Sequence, residues 1–251
     1  MKKTSTPKKK SAIKDALGIF LVVVIVSGVL FGLLALTQCE RTEPAHGGNT
    51  ESGVTAENGL PTAVTDGETG IRYLLCPKGL GPEGGKDGDS PFMTCSYEGK
   101  ELEFYKVPLE KTERYISLAT ANGYRLYRAE SVRLPSIDSF GAVAAGIYMG
   151  DYRLKIDSFY YSDAVADESG AEDGTVYVNM ITDAFSTSGV DKATGDWKDE
   201  GFGIRLYSAH NPGLYYEVDF KIDENGAEYL YDRVTGKLAK SPKALTARLM
   251  G

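Results

Sequence analysis

The chain has 251 residues, with 28 Lys and Arg against 35 Asp and Glu, a formal charge of −7 and 42% apolar side chains. Six of the lysines and one aspartate precede residue 16, so the remainder carries −12, a surface that repels the phosphates of nucleic acid and of anionic lipid. Nucleic-acid binding is therefore not expected, and two histidines, His46 and His210, are too few for a zinc site built on several imidazoles.

The chain opens with a Lys-rich tail (1–15) that carries Lys2, Lys3, Lys8, Lys9, Lys10 and Lys14. No charged side chain then occurs between Ala16 and Cys39, and Leu17 to Leu36 is almost entirely Leu, Val, Ile, Phe, Ala and Gly. At 1.5 Å per residue, such a helix covers the roughly 30 Å of a bilayer's hydrocarbon with every amide satisfied internally. Residues 16–38 are thus expected to form a single transmembrane helix, and the lysines before it hold the N-terminus in the cytoplasm. The reading is a single-pass signal-anchor in the cell membrane with an extracytoplasmic C-terminal domain. A cleaved signal peptide has an apolar core of about 7 to 15 residues and a small-residue cleavage site, and this run is longer and lacks that site. Leu36-Thr37-Gln38-Cys39 resembles a bacterial lipobox except at Gln38, which makes Cys39 the candidate for lipidation. Gly28 and Gly32, one turn apart, smooth one helix face and are the candidate contact of a homodimer. A bacterial source is expected from the lysine-rich tail and from the lack of an Asn-x-Ser/Thr acceptor.

Residues 39–70 are rich in Gly, Thr, Glu, Pro and Ala, a composition expected to form a flexible linker. Residues 71–251 are then long enough for one α+β domain, mainly an antiparallel β-sheet with two or three helices. Ile71 to Cys76, Phe92 to Tyr97 and Glu101 to Val107 read as strands. Cys76 and Cys95, on the oxidising side, are the candidate disulfide, which closing a loop of that length would make worth about 3 kcal/mol. Leu109 to Asn122 reads as a helix that stops at Asn122-Gly123, and Ser136 to Tyr148 is ambiguous, its alanines favouring helix and its glycines opposing it. Tyr152 to Asp157 and Tyr215 to Phe220 alternate apolar and polar residues as half-buried strands do. Thr175 to Phe185, Phe202 to Ala209 and Ala227 to Val234 are β-rich by the same signs. His210-Asn211-Pro212-Gly213, Glu224-Asn225-Gly226 and Thr235-Gly236 are turn signals between them. Ser241-Pro242 opens a last helix through Leu249.

Two short segments resemble known families. Thr94-Cys95-Ser96-Tyr97-Glu98 resembles the nucleophile strand of sortases, but His46 is the only preceding histidine and no arginine occurs until Arg114, so the thiol lacks its base and its oxyanion partner. The hairpin Leu214 to Lys240, ending Asp232-Arg233-Val234-Thr235-Gly236-Lys237, resembles the closing hairpin of PepSY domains. The amphipathic helix that such domains place before it is absent, and no function is carried over.

Two acidic loops, one with Asp163, Asp167, Glu168, Glu172 and Asp173 and the other with Asp191, Asp196, Asp199 and Glu200, offer hard oxygens. The first makes Asp163, Asp167 and Asp173 the candidate calcium ligands; otherwise no cofactor is expected. Sixteen tyrosines lie beyond the apolar run, and Tyr160, Tyr215 and Tyr229 are the candidate binding aromatics, because a large flat ring with a polar tip suits a glycan or a protein partner. In each adjacent pair, Tyr160-Tyr161 and Tyr215-Tyr216, the two rings point to opposite faces. The function expected is a non-catalytic binding, assembly or sensing module at the cell envelope, meeting an envelope protein or glycan. The alternatives are a cell-surface hydrolase that uses paired carboxylates and a regulator whose Lys-rich tail meets a cytoplasmic partner.

Overall fold

A computed structural model describes residues 46–50 and 59–250, except 150, 151, 153, 161–173 and 188–196; for 46–50, 160, 187 and 198–201 it describes the backbone alone. The apolar run, Gly28, Gly32 and Cys39 lie outside the described residues, as do Asp163, Asp167 and Asp173. No helix among the described residues is long and apolar enough to cross a membrane.

The N-terminal half closes a seven-stranded barrel from β1 (His46–Thr50), β2 (Ala63–Asp66), β3 (Arg72–Leu75), β5 (Met93–Tyr97), β6 (Lys100–Lys106), β7 (Tyr115–Thr120) and β8 (Gly123–Ala129). The strand order is β1-β2-β3-β8-β7-β6-β5, and a parallel pairing of β1 with β5 shuts it. Its interior is a cluster around Val64, Tyr73, Met93, Cys95, Phe104, Ile116, Leu118 and Tyr127.

The composition of 39–70 reads as linker, yet β1 and β2 come from it. Ala63, Val64 and Asp66 are buried, and the Asp66 carboxylate accepts hydrogen bonds from the Glu68 amide (2.9 Å) and the Thr69 hydroxyl (2.6 Å). That side chain organises the tight β2–β3 turn, so the polar run Asp66-Gly67-Glu68-Thr69-Gly70 is turn chemistry inside the fold.

The second half forms a seven-stranded antiparallel sheet from β4 (Leu80–Pro82), β9 (Ala142–Met149), β10 (Leu154–Tyr160), β11 (Lys198–Ser208), β12 (Leu214–Ile222), β13 (Glu228–Asp232) and β14 (Leu238–Lys240). The order is β10-β9-β11-β12-β13-β14, and β4 reaches across from the barrel strands to pair with the first residues of β12. Three helices accompany it: α1 (Ile137–Phe140), α2 (Thr175–Thr187) and α3 (Lys243–Met250). Val178, Ile181, Ala184 and Phe185 of α2 and Leu245 of α3 pack on Ala145, Ile147, Ile204, Leu206, Val218 and Phe220.

Two element assignments are corrected. Leu109 to Asn122 is no helix: after a loop in which Leu109 is 71% exposed with φ at 65°, residues Tyr115–Thr120 form β7. Thr120 pairs with Gly123, so Asn122-Gly123 ends a hairpin loop where a helix stop is expected. Conversely, Thr175 to Phe185 is a helix despite its β-branched residues. Its buried side chains recur every three to four positions, and docking of that stripe on the sheet outweighs local propensity. The ambiguous Ser136 to Tyr148 divides: Ser136 caps α1, Gly141 ends it with φ at 67°, and β9 follows.

Candidate functional site

Alternation along β12 gives the sheet two unlike faces. Leu214, Tyr216, Val218 and Phe220 enter the core, so Tyr215, Glu217, Asp219 and Lys221 point away from the helices. Register places their neighbours on that same outer face: Tyr207 opposite Tyr215, Arg205 opposite Glu217 and Gly203 opposite Asp219 on β11. Tyr148 stands beside Gly203 on β9, and Tyr231 and Tyr229 lie opposite Asp219 and Lys221 on β13.

The charges on this face form one chain. Glu217, with its side chain only 6% exposed, accepts from Nε and Nη2 of Arg205 (3.2 and 3.0 Å) through Oε1 and from Nη1 of Arg233 (3.0 Å) through Oε2. Asp219 stands at ion-pair distance from Arg233 (3.9 Å) and Lys221 (3.8 Å) and accepts a hydrogen bond from the Tyr152 hydroxyl (2.6 Å). Burial pushes the Glu217 carboxyl above its ordinary value, and the guanidiniums of Arg233 and Arg205 pull against that rise without cancelling it.

Aromatic rings frame the cations. The Arg205 guanidinium lies 4.0 Å from the ring centre of Tyr215, 5.0 Å from that of Tyr148 and 5.1 Å from that of Tyr152. Arg233 is 5.4 Å from Tyr152 and Lys221 is 5.6 Å from Tyr231. The Tyr148 and Tyr207 hydroxyls meet at 2.5 Å, and Trp197 packs edge-on to Tyr229 with centres 5.2 Å apart. Two glycines make this layer flat. A Cβ on Gly81 would stand 2.2 Å from the Tyr215 hydroxyl, and one on Gly203 would stand 2.2 Å from Cζ of Tyr152, so each ring lies on bare backbone. Tyr152 itself has φ at 63°, a left-handed conformation that is unusual for a bulky residue and costs about 1–2 kcal/mol.

Of the expected binding aromatics, Tyr215 is central to this layer and Tyr229 lies at its margin beside Trp197. Tyr160 ends β10 opposite Ala144, with its side chain outside the described residues. Of the pair Tyr215-Tyr216, the second ring is fully buried, its hydroxyl donating to both carboxylate oxygens of Asp232 at 2.9 Å.

The expected bridge between Cys76 and Cys95 is absent. Both are free, buried thiols, Cys76 just past the end of β3 in the cluster beneath the sheet and Cys95 on β5 in the barrel interior, and β3 and β5 are not neighbours. Burial pushes the Cys76 thiol up to about 12 and the Cys95 thiol up to about 11, which makes both inert as nucleophiles. Among the described residues, no group of three His, Cys, Asp or Glu is placed to hold a metal ion.

Sequence reasoning singled out Tyr215 and Tyr229 but missed Arg205, Arg233, Glu217, Asp219, Tyr148 and Tyr152. The alternation in Tyr215-Tyr216-Glu217-Val218-Asp219-Phe220 carried the signal for the two carboxylates. The cross-strand partners had no local signal. The chain has no match among protein-family models, curated proteins or solved structures.

Proposed function

We propose that the protein is a non-catalytic binding or assembly module of the cell envelope, with residues 16–38 spanning the membrane and the outer face of the second sheet as its working surface. The observation that carries this reading is the layer of Tyr148, Tyr152, Tyr207 and Tyr215 around Arg205 and Arg233 on a face that neither α2 nor α3 covers. Tyrosine and arginine are enriched among the few residues that dominate binding energy at protein interfaces, because each offers a large flat area together with polar specificity. A hydrolase would need one carboxylate free to activate water and another to protonate a leaving group. Glu217 and Asp219 are the paired carboxylates of this face, and both are held by guanidinium groups, which favours adhesion over acid–base chemistry.

The test is site-specific photo-crosslinking in membranes. A photo-reactive residue placed at Tyr229 or Lys240, which pair with each other on this face, should yield a specific adduct, and one placed at Lys100 on the barrel should not. Identical adducts from all three positions, or none from the sheet, would refute the assignment of the surface.

A further inference from the structure

Tyr152 is held in its left-handed backbone conformation by what its ring meets. Gly203 is the floor, since any Cβ there would enter the ring; Asp219 Oδ1 receives the hydroxyl at 2.6 Å; the guanidiniums of Arg205 and Arg233 flank the ring at 5.1 and 5.4 Å; and the Tyr148 ring lies 6.0 Å away. An apolar floor, a carboxylate at the far end and cations against the ring match the shape and polarity of a para-substituted phenol. The lining groups hold one another without Tyr152: Glu217 pairs with both arginines, and Lys221 and Arg233 stand beside Asp219. The slot therefore persists when the ring leaves, and leaving relieves the backbone of its strained φ.

We propose that this slot is a tyrosine-recognition site, filled in cis by Tyr152, from which the tyrosine side chain of a partner protein displaces it. The inference rests on the reading of this face as the working surface and adds the chemistry of what that surface takes.

The experiment uses the full chain in detergent and the variant Tyr152→Gly, which empties the slot and accepts the positive φ. p-Cresol, the side-chain analogue, should raise the Tm of this variant by about 3 °C or more at ten times its Kd and leave the unmodified protein unshifted. Toluene, which has no hydroxyl for Asp219, should bind at least about fivefold more weakly. N-acetyltyrosinamide should bind as p-cresol does, and Tyr152→Gly combined with Gly203→Ala, which fills the floor, should bind neither. Tyr152→Phe keeps the ring but lacks the bond to Asp219, so N-acetyltyrosinamide should displace its ring more readily than that of the unmodified protein. The proposal is overturned if p-cresol does not bind Tyr152→Gly, if toluene binds equally well, or if Gly203→Ala changes nothing. Binding of p-cresol without N-acetyltyrosinamide would assign the slot to a free phenol and overturn the tyrosine assignment. Adducts at Tyr229 and Lys240 with an unresponsive slot would remove this inference and leave the proposed surface standing.

Discussion

The barrel and the sheet bury their apolar residues by opposite strategies. The barrel closes on itself and gathers inward apolar side chains into one cluster around Phe104, Tyr73 and Tyr127, with few buried polar side chains among its strands, Asp66 and Ser117. The sheet stays open; one face is dried by α2 and α3, and the other is covered by its own tyrosines and ion pairs. Packing thus dominates the first region, and the electrostatics of half-buried charge dominate the outer face of the second.

Substitutions of equal size should separate the two. Phe104→Ala empties the middle of a fully enclosed cluster and should cost about 3–5 kcal/mol. Tyr215→Ala, on the outer face, removes a half-buried ring and its contact with Arg205 and should cost about 1–2 kcal/mol. Denaturant unfolding of the full chain measures both, and equal losses would show that the outer face is as tightly packed as a core.

Within the sheet, the largest effect should come from Glu217. Replacing it with Ala leaves Arg205 and Arg233 side by side with one carboxylate fewer, an uncompensated half-buried charge that should cost about 3 kcal/mol. The outer-face variant Lys221→Ala, which removes a cation from Asp219 without stranding a buried charge, should cost well under half of that. A Glu217→Ala loss no greater than that of Lys221→Ala would mean that the network contributes nothing beyond surface pairs.

The difference between the regions also explains what was legible in the sequence. Alternation marked β12 because Leu214, Tyr216, Val218 and Phe220 all enter the core, and the turn residues marked the hairpins on either side of β13. Closure of the barrel left no comparable mark. It depends on β1 pairing with β5 and on β3 pairing with β8, contacts far apart in the chain, and a linker-like composition concealed β1 and β2. Thr175 to Phe185 misled because propensity is local whereas the docking that makes it α2 is tertiary. At the site, Tyr215 was legible as an outward ring. Its neighbours were not, because Arg205 and Glu217 are 12 residues apart, Arg233 and Glu217 are 16 apart, and Tyr152 and Asp219 are 67 apart.

Acid titration should tilt the two regions in opposite directions. Glu110 leads the loop into β7. Burial pushes its carboxyl up, but bonds from the Thr112 hydroxyl and amide and from Arg114 outweigh burial and hold it below its ordinary value of 4.5. A lowered carboxyl contributes stability that is complete above the unfolded value and is lost as pH falls through the folded one. Glu217 is raised, so its contribution is present below the unfolded value and is lost as pH rises through the folded one. The Tm gap between the unmodified protein and Glu110→Gln should therefore narrow on acidification from pH 6 to 3. Relative to Glu217→Gln, the unmodified protein should lose ground as pH rises from about 4.5. Gaps that move in the same direction would mean that the ion pairs of Glu217 dominate its desolvation.

The smallest expected change probes how the outer face satisfies its polar groups. Tyr148 and Tyr207 stand on neighbouring strands with hydroxyls 2.5 Å apart, and the Tyr148 ring also faces Arg205. Tyr148→Phe keeps the ring over the guanidinium and removes one hydroxyl, so only the hydrogen bond is lost, worth about 1 kcal/mol. Tyr207→Phe should cost the same, and the double variant should cost less than the sum, because once one hydroxyl is gone the other has no bond left to lose. If the single losses simply add, the two hydroxyls act independently, and water serves each of them as well as its neighbour does. The outer face would then be an ordinary wet surface that happens to be rich in tyrosine, the opposite of the barrel in composition but not in the way it is held together.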